Sequence, residues 1–291
     1  MRLKAHTVAG PIAALIAAML CFQLGAVFAK GLFPAVGAAG TTALRMTLAS
    51  FMLLAAWRPW RMRLRLREMP VIICYGLALG LMNLSFYMSL RSIPLGIAVA
   101  LEFTGPLALA MAASRRAIDF LWILMAALGL LALLPLGLAS QPLDAQGVAY
   151  GLAAGVFWAL YIIYGRKAGA AHGGGTTALG MVIGAIVIVP IGVVQAGAQL
   201  LSPAILPAAL GVALLSSALP YSLEMLAMPR LPTRTVGVLM SLDPALGALS
   251  GLCFLGERLS WVQWVAIASI MAASAGCAAT SRTDSPRLLP D

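Results

Sequence analysis

Ten runs of about twenty apolar residues take up almost the whole chain, at roughly 10–30, 38–57, 70–90, 95–114, 117–138, 146–165, 176–196, 205–228, 233–255 and 260–280. The hydrocarbon core of a bilayer is about 30 Å thick and needs a helix of about that length. The runs therefore predict ten transmembrane helices and an all-α integral membrane protein. Composition agrees: of 291 residues, 62% are hydrophobic and 10% charged, whereas soluble domains carry about 25% charged residues. There is too little polar surface to face water. The first run has the basic flank of a signal peptide (Arg2, Lys4), but its length and the nine runs behind it predict an uncleaved first span.

The net charge of +10 reads as a topology signal and not as a nucleic-acid surface, because the basic residues fall in short loops between the runs. With the N-terminus inside, the cytoplasmic segments hold Arg2, Lys4, five arginines from Arg58 to Arg67, Arg115, Arg116, Arg166, Lys167, Arg230, Arg234, Arg282 and Arg287. The outer segments hold only Lys30, Arg91 and Arg258, and Arg45 lies within the second span. Fifteen against three places both termini in the cytoplasm. Trp57 and Trp60 edge the arginine-rich loop, which fits contact with anionic membrane lipid.

The second constraint is a duplication. Thr41-Thr42-Ala43-Leu44-Arg45-Met46 is matched 135 residues later by Thr176-Thr177-Ala178-Leu179-Gly180-Met181, and Phe22 with Phe157 keeps that offset. Pro94 with Pro232, Pro106 with Pro244, and Asp119 with Glu257 all give 138. Each half, 1–139 and 140–280, holds five spans, followed by a short cytoplasmic tail, 281–291. Five is odd, so the second half enters the membrane from the opposite side. The spacing predicts a 5+5 inverted repeat with its pseudo-two-fold axis in the membrane plane.

Within the spans, charge is scarce enough to be informative. Glu102 is the only charged residue between Leu95 and Ala113, and an acidic group at a helix centre costs about 2.5–3.5 kcal/mol on insertion scales. Asp243 and Glu224 are the other carboxylates well inside spans. They are candidates to hold a cationic group such as a substrate ammonium or to take up protons that drive exchange; the competing role is hydrogen-bonded glue between helices. Gly105-Pro106 and the matching Asp243-Pro244 predict helix breaks that open backbone carbonyls beside the charges. Arg45 can clamp a carboxylate through its fork or pair with Glu102. Gln23, Asn83, Tyr87, Trp158, Tyr161 and Tyr221 can supply an amphipathic cavity wall or simply pack between helices. The small residues of span ten (Ala266, Ala268, Ser269, Ala272, Ala273, Ala275, Gly276) suit close packing in the bundle and also a homodimer seam.

Catalytic and cofactor chemistry find no foothold. Cys21, Cys74, Cys253 and Cys277 lie inside apolar runs without CxxC spacing, and His6 and His172 fall outside the spans, so no metal site is expected. No phosphate-binding loop, nucleophile motif or HExxH is present. The expectation is no enzyme and no cofactor.

The ten spans in two halves, with Leu255-Gly256-Glu257 opening the tenth, resemble the drug/metabolite transporter superfamily with two EamA domains. Pro94 to Pro106, Leu219 to Met225 and Leu231-Pro232-Thr233-Arg234-Thr235 look more closely like the threonine/homoserine exporters of bacterial inner membranes. The resemblance runs from about Ala29 to Glu257. It implies a basket of helices around a central cavity, spans five and ten peripheral, and export of small amino acids by alternating access. A small zwitterion suits both a carboxylate and Arg45. An exporter of another metabolite in the same superfamily, such as an aromatic amino acid, a nucleoside or a drug-like cation, fits the same residues.

Overall fold

A computed structural model describes residues 6–62, 65–112, 117–133, 143–172 and 174–280. The basic residues at 2, 4, 63, 115 and 116, the junction 134–142 and the tail from 281 lie outside the described residues. Every element among them is helical: α1 (His6–Trp57), α2 (Met69–Ser89), α3 (Leu95–Ala112), α4 (Ala117–Leu133), α5 (Ala145–His172), α6 (Gly174–Ala196), α7 (Leu206–Ala213), α8 (Leu219–Ala227), α9 (Thr233–Met240), α10 (Asp243–Leu255) and α11 (Trp261–Thr280). Lipid offers no hydrogen bonds, so a backbone crossing it must satisfy itself within the helix. Eight helical stretches are long and apolar enough to cross a membrane, and a shorter apolar helix covers Phe120–Leu133. Large apolar side chains such as Phe28, Phe51, Phe120, Ile186 and Phe254 point outward. This is a multi-pass membrane protein.

α1 folds back on itself. Gly25 touches Ser216 so closely that a Cβ there would lie 2.5 Å from the Ser216 Cβ, while Arg45 donates from Nη1 to the Ser216 carbonyl at 2.8 Å. On a straight helix Gly25 and Arg45 would stand about 30 Å apart. The reversal sits at Gly37 (φ 69°, ψ 175°), a backbone conformation that glycine adopts without a Cβ clash. The apolar runs predict a connecting segment between residues 30 and 38; the helical stretch instead breaks at this single residue. Gln195 makes so tight a turn workable: its Oε1 accepts from the Ala39 amide at 2.9 Å, capping a donor that the break leaves without a helical partner.

The two proline motifs behave differently. Ahead of Pro244 the helix is broken, α9 ending at Met240 and α10 beginning at Asp243, with Pro244 in the first turn, where its missing N–H costs little. Gly105-Pro106 does not break α3, contrary to the expectation from sequence. Pro106 withholds a donor from the Glu102 carbonyl four residues back, yet α3 is braced along α5. A Cβ on Gly105 would lie 1.8 Å from the Gly155 carbonyl oxygen, and one on Gly155 would lie 2.9 Å from the Glu102 carbonyl oxygen. Gly105 serves close backbone approach, not bending.

The small face of α11 packs inside the chain. Ser269 Oγ donates to the Met125 carbonyl at 2.7 Å, Trp122 Nε1 donates to Thr280 Oγ1 at 3.1 Å, and a Cβ on Gly276 would strike the Trp122 ring. α4 thus covers Ser269 and Gly276 of the small residues named above, while Ala268 and Ala272 stay exposed. At one end of the bundle Glu257 joins two elements: it pairs with Lys30 of α1 at 2.7 Å and accepts from the Leu95 amide opening α3 at 2.7 Å. Asp144, just before α5, accepts from Ser92 Oγ at 2.6 Å and from the Gly147 amide at 2.8 Å. The Ser92 hydroxyl and that amide hold its carboxyl below the usual carboxylate range.

Candidate substrate site

Arg45 projects from the second arm of α1 into the bundle and is 2% exposed. Its Nη1 grips the Ser216 carbonyl and its Nη2 donates to Asn83 Oδ1 of α2. Asn83 is itself fixed, donating from Nδ2 to the Leu79 carbonyl at 2.7 Å. The guanidinium lies over the Tyr87 ring, 4.8 Å from its centroid, a favourable cation–π placement. The sequence allows an Arg45–Glu102 ion pair. The structure does not make it: the salt bridge among the described residues is Lys30–Glu257. Arg45 is instead a buried cation held by neutral acceptors, and its Nε has no partner.

The carbonyl that Arg45 uses is supplied by local sequence. Pro220 has no N–H to offer Ser216 four residues back, and the chain from Leu214 to Ala218 widens into a single π-helical turn. Such turns are frequent at functional sites. Ser216 and its neighbour Ser217 are not among the residues expected from sequence; their signal there is a Ser-Ser pair in an apolar run, with Ser216 four residues ahead of a proline.

Three carboxylates gather in the same bundle, one of them within electrostatic range of this cation. Asp243, opening α10, accepts from Gln23 Nε2 of α1 at 3.3 Å. Glu102 of α3 lies within electrostatic range of both Asp243 and Arg45, and Glu224 of α8 within range of Asp243. Glu102 and Asp243 are 9% and 7% exposed, and Glu224 is partly buried. Charges so buried, with no counter-ion in contact, are costly to keep ionised. The arrangement is suited to a ligand that brings the opposite charges with it.

Aromatic side chains line the surroundings. Tyr161 of α5 stacks on Tyr75 of α2 with centroids 5.0 Å apart, Tyr221 of α8 meets Phe22 of α1 edge-on at 5.3 Å, and Trp158 meets Phe103 at 5.7 Å. Glu224 lies within electrostatic range of Tyr75, Tyr161 and Tyr221. Tyr75, buried and unnominated from sequence, belongs to this wall. Gly105 and Pro106 lie instead on the α3–α5 packing seam.

Comparison with known proteins places this architecture. Residues 145–278 match the EamA-like transporter family. The threonine/homoserine exporter RhtA of Salmonella typhimurium (strain SL1344) is 54% identical over 274 residues, covering 94% of this chain and 93% of that protein. The protein of the same name from Escherichia coli (strain K12) is 52% identical over 275 residues, with the same coverage. A solved crystal structure superposes with a TM-score of 0.61 at 18% identity, covering 93% of this chain and 97% of its own, and so shares the fold. On an identity above half along nearly its full length, the chain belongs to the EamA-like transporter family.

Proposed function

We propose that this protein exports threonine and homoserine across the bacterial inner membrane as a secondary transporter, holding the amino acid between Arg45 and the Glu102–Asp243 pair. The observation that carries the substrate is the 54% identity over 94% of the chain to proteins named for that activity. The site supports it physically. A zwitterion presents a carboxylate to the buried guanidinium and an ammonium to the buried carboxylates, so neither pole is left uncompensated. Gln23, Asn83 and Tyr87 fix the two poles, while Trp158, Tyr161, Tyr221 and Glu224 form the wall. The carboxylate not engaged by the ammonium carries the proton that drives export.

The transport cycle follows from a 5+5 inverted repeat, residues 1–139 and 140–280, rocking about this site. Counting the two arms of α1 separately and adding the short apolar helix at Phe120–Leu133 gives ten spans. The direction of close contacts supports the short helix as a full crossing. Leu101 meets Gly151 and Gly105 meets Gly155, a constant offset that fits α3 and α5 running parallel with one more crossing between them. Lys30, Glu257 and the Leu95 amide share one end of the bundle, the end that the arginine bias assigns to the outside. Both termini then lie in the cytoplasm.

Overproducing the protein in bacteria tests the reading. Cells should tolerate excess threonine and homoserine better and release more of each. Export of phenylalanine or a cationic dye with no effect on threonine and homoserine moves the protein to another substrate class.

A further inference from the structure

Two buried hydroxyls, one on the ring beneath the Arg45 guanidinium and one on the residue following the carbonyl that Arg45 grips, have no hydrogen-bond partner. Ser217 Oγ and Tyr87 Oη are both buried and both unsatisfied, on side chains 0% and 1% exposed. Burying a hydroxyl without a partner is unfavourable, and it is avoidable here. The adjacent Ser216 donates from Oγ back to the Val212 carbonyl at 2.6 Å, as helical serines commonly do. Ser222, one turn further on, likewise donates to the Ala218 carbonyl at 2.6 Å. Ser217 alone of the three makes no such bond.

The backbone around Ser217 is held firmly. Gly25 of α1 presses against the Ser216 backbone, with a Cβ there predicted to lie 2.7 Å from the Ser216 nitrogen, and Arg45 grips the Ser216 carbonyl from the other arm of the same helix. The π-helical turn is therefore fixed from two sides. Tyr87 is fixed by the guanidinium above its ring and by Phe33 and Phe86 at its edges. Two hydroxyls able to donate and accept are thus carried by Tyr87, whose ring underlies the cation that the exporter reading assigns to the substrate carboxylate, and by Ser217, the chain neighbour of that cation's backbone acceptor.

We propose that Ser217 and Tyr87 form a hydroxyl-reading subsite that selects amino acids carrying a side-chain hydroxyl over hydrocarbon isosteres. The proposal rests on the exporter reading above and adds the group that confers selectivity. A carboxylate only accepts hydrogen bonds, and Arg45 provides for it. A pair of hydroxyls with both donor and acceptor capacity is completed by a third hydroxyl. A site that hydrogen-bonds a substrate hydroxyl rejects the analogue lacking it far more strongly than an apolar pocket rejects an extra methyl, because the analogue leaves buried polar groups unpaired.

Threonine and valine differ by a hydroxyl against a methyl at nearly constant shape, as do homoserine and norvaline by one terminal group. Purified full-length protein in liposomes, loaded with radiolabelled L-threonine or L-valine, gives the ratio of efflux rates. The wild type is expected to prefer threonine. Ser217→Ala and Tyr87→Phe remove only the oxygen, and each should lower the threonine-to-valine ratio by about tenfold or more, with valine efflux kept or raised in Ser217→Ala. Retained valine efflux shows that Ser217→Ala is folded, and a wild-type melting temperature in detergent shows the same for Tyr87→Phe. Ratios unchanged in both variants, or threonine and valine falling together, overturn the subsite and leave those hydroxyls as packing or water ligands. Equal wild-type efflux of both amino acids overturns the subsite but leaves the exporter standing. Efflux of neither overturns the exporter reading and the subsite with it.

Discussion

Glu102 and Asp243 sit on different helices, α3 and α10, yet lie within electrostatic range of each other in the buried centre of the bundle. If they carry the ammonium and the coupling proton, neutralising either one at constant shape should stop transport without unfolding the protein. Glu102→Gln and Asp243→Asn are each expected to cut threonine efflux more than tenfold, with normal accumulation in the membrane. Normal efflux at both acidic and neutral pH would make them glue. That these carboxylates would lie inside the bundle was legible in the sequence, because an acidic group in a lipid-length apolar run is conspicuous by itself. The partner of Arg45 was not. Nothing in the sequence near Arg45 names Ser216, a backbone carbonyl 171 residues away that is released by Pro220. Side-chain identity announces a charge, but a backbone acceptor depends on where helices cross.

Among the elements, the α3–α5 seam shows what two glycines contribute. At Gly105 a methyl group has nowhere to go, since the atom it meets is the Gly155 backbone and not a flexible side chain. Gly105→Ala should therefore separate the two helices, at a cost of about 1–3 kcal/mol. The check is thermal unfolding in detergent, where the variant should melt at lower temperature than the wild type. An unchanged melting temperature contradicts close packing as the role of this glycine. The apolar runs, their approximate bounds and the helix break before Asp243-Pro244 were legible from hydropathy and proline placement. The reversal at Gly37 and the unbroken path through Pro106 were not. Both are decided by neighbours distant in sequence, Gln195 capping one and Gly155 bracing the other.

At the scale of the whole molecule, the account requires Lys30, Arg91 and Glu257 to be outside and Arg61 inside. In a variant free of native cysteines, Arg91→Cys should react with an impermeant maleimide added to intact cells, and Arg61→Cys should react only after the membrane is opened. The reverse pattern inverts the topology. The likeness to threonine/homoserine exporters was readable from motifs spread along the chain, and the curated relatives match it over 94% of the chain. What the sequence could not supply is that buried Glu102 lies within electrostatic range of both Arg45 and Asp243, a set of opposite charges that suits a zwitterion. Threonine efflux from liposomes containing the purified protein, with competitors added on the substrate side, tests that arrangement most directly. Homoserine, bearing both charges, should compete with threonine, whereas N-acetylthreonine, lacking the ammonium, and threoninamide, lacking the carboxylate, should not. Competition by either singly charged analogue as strong as that by homoserine would contradict a site built on two opposed buried charges.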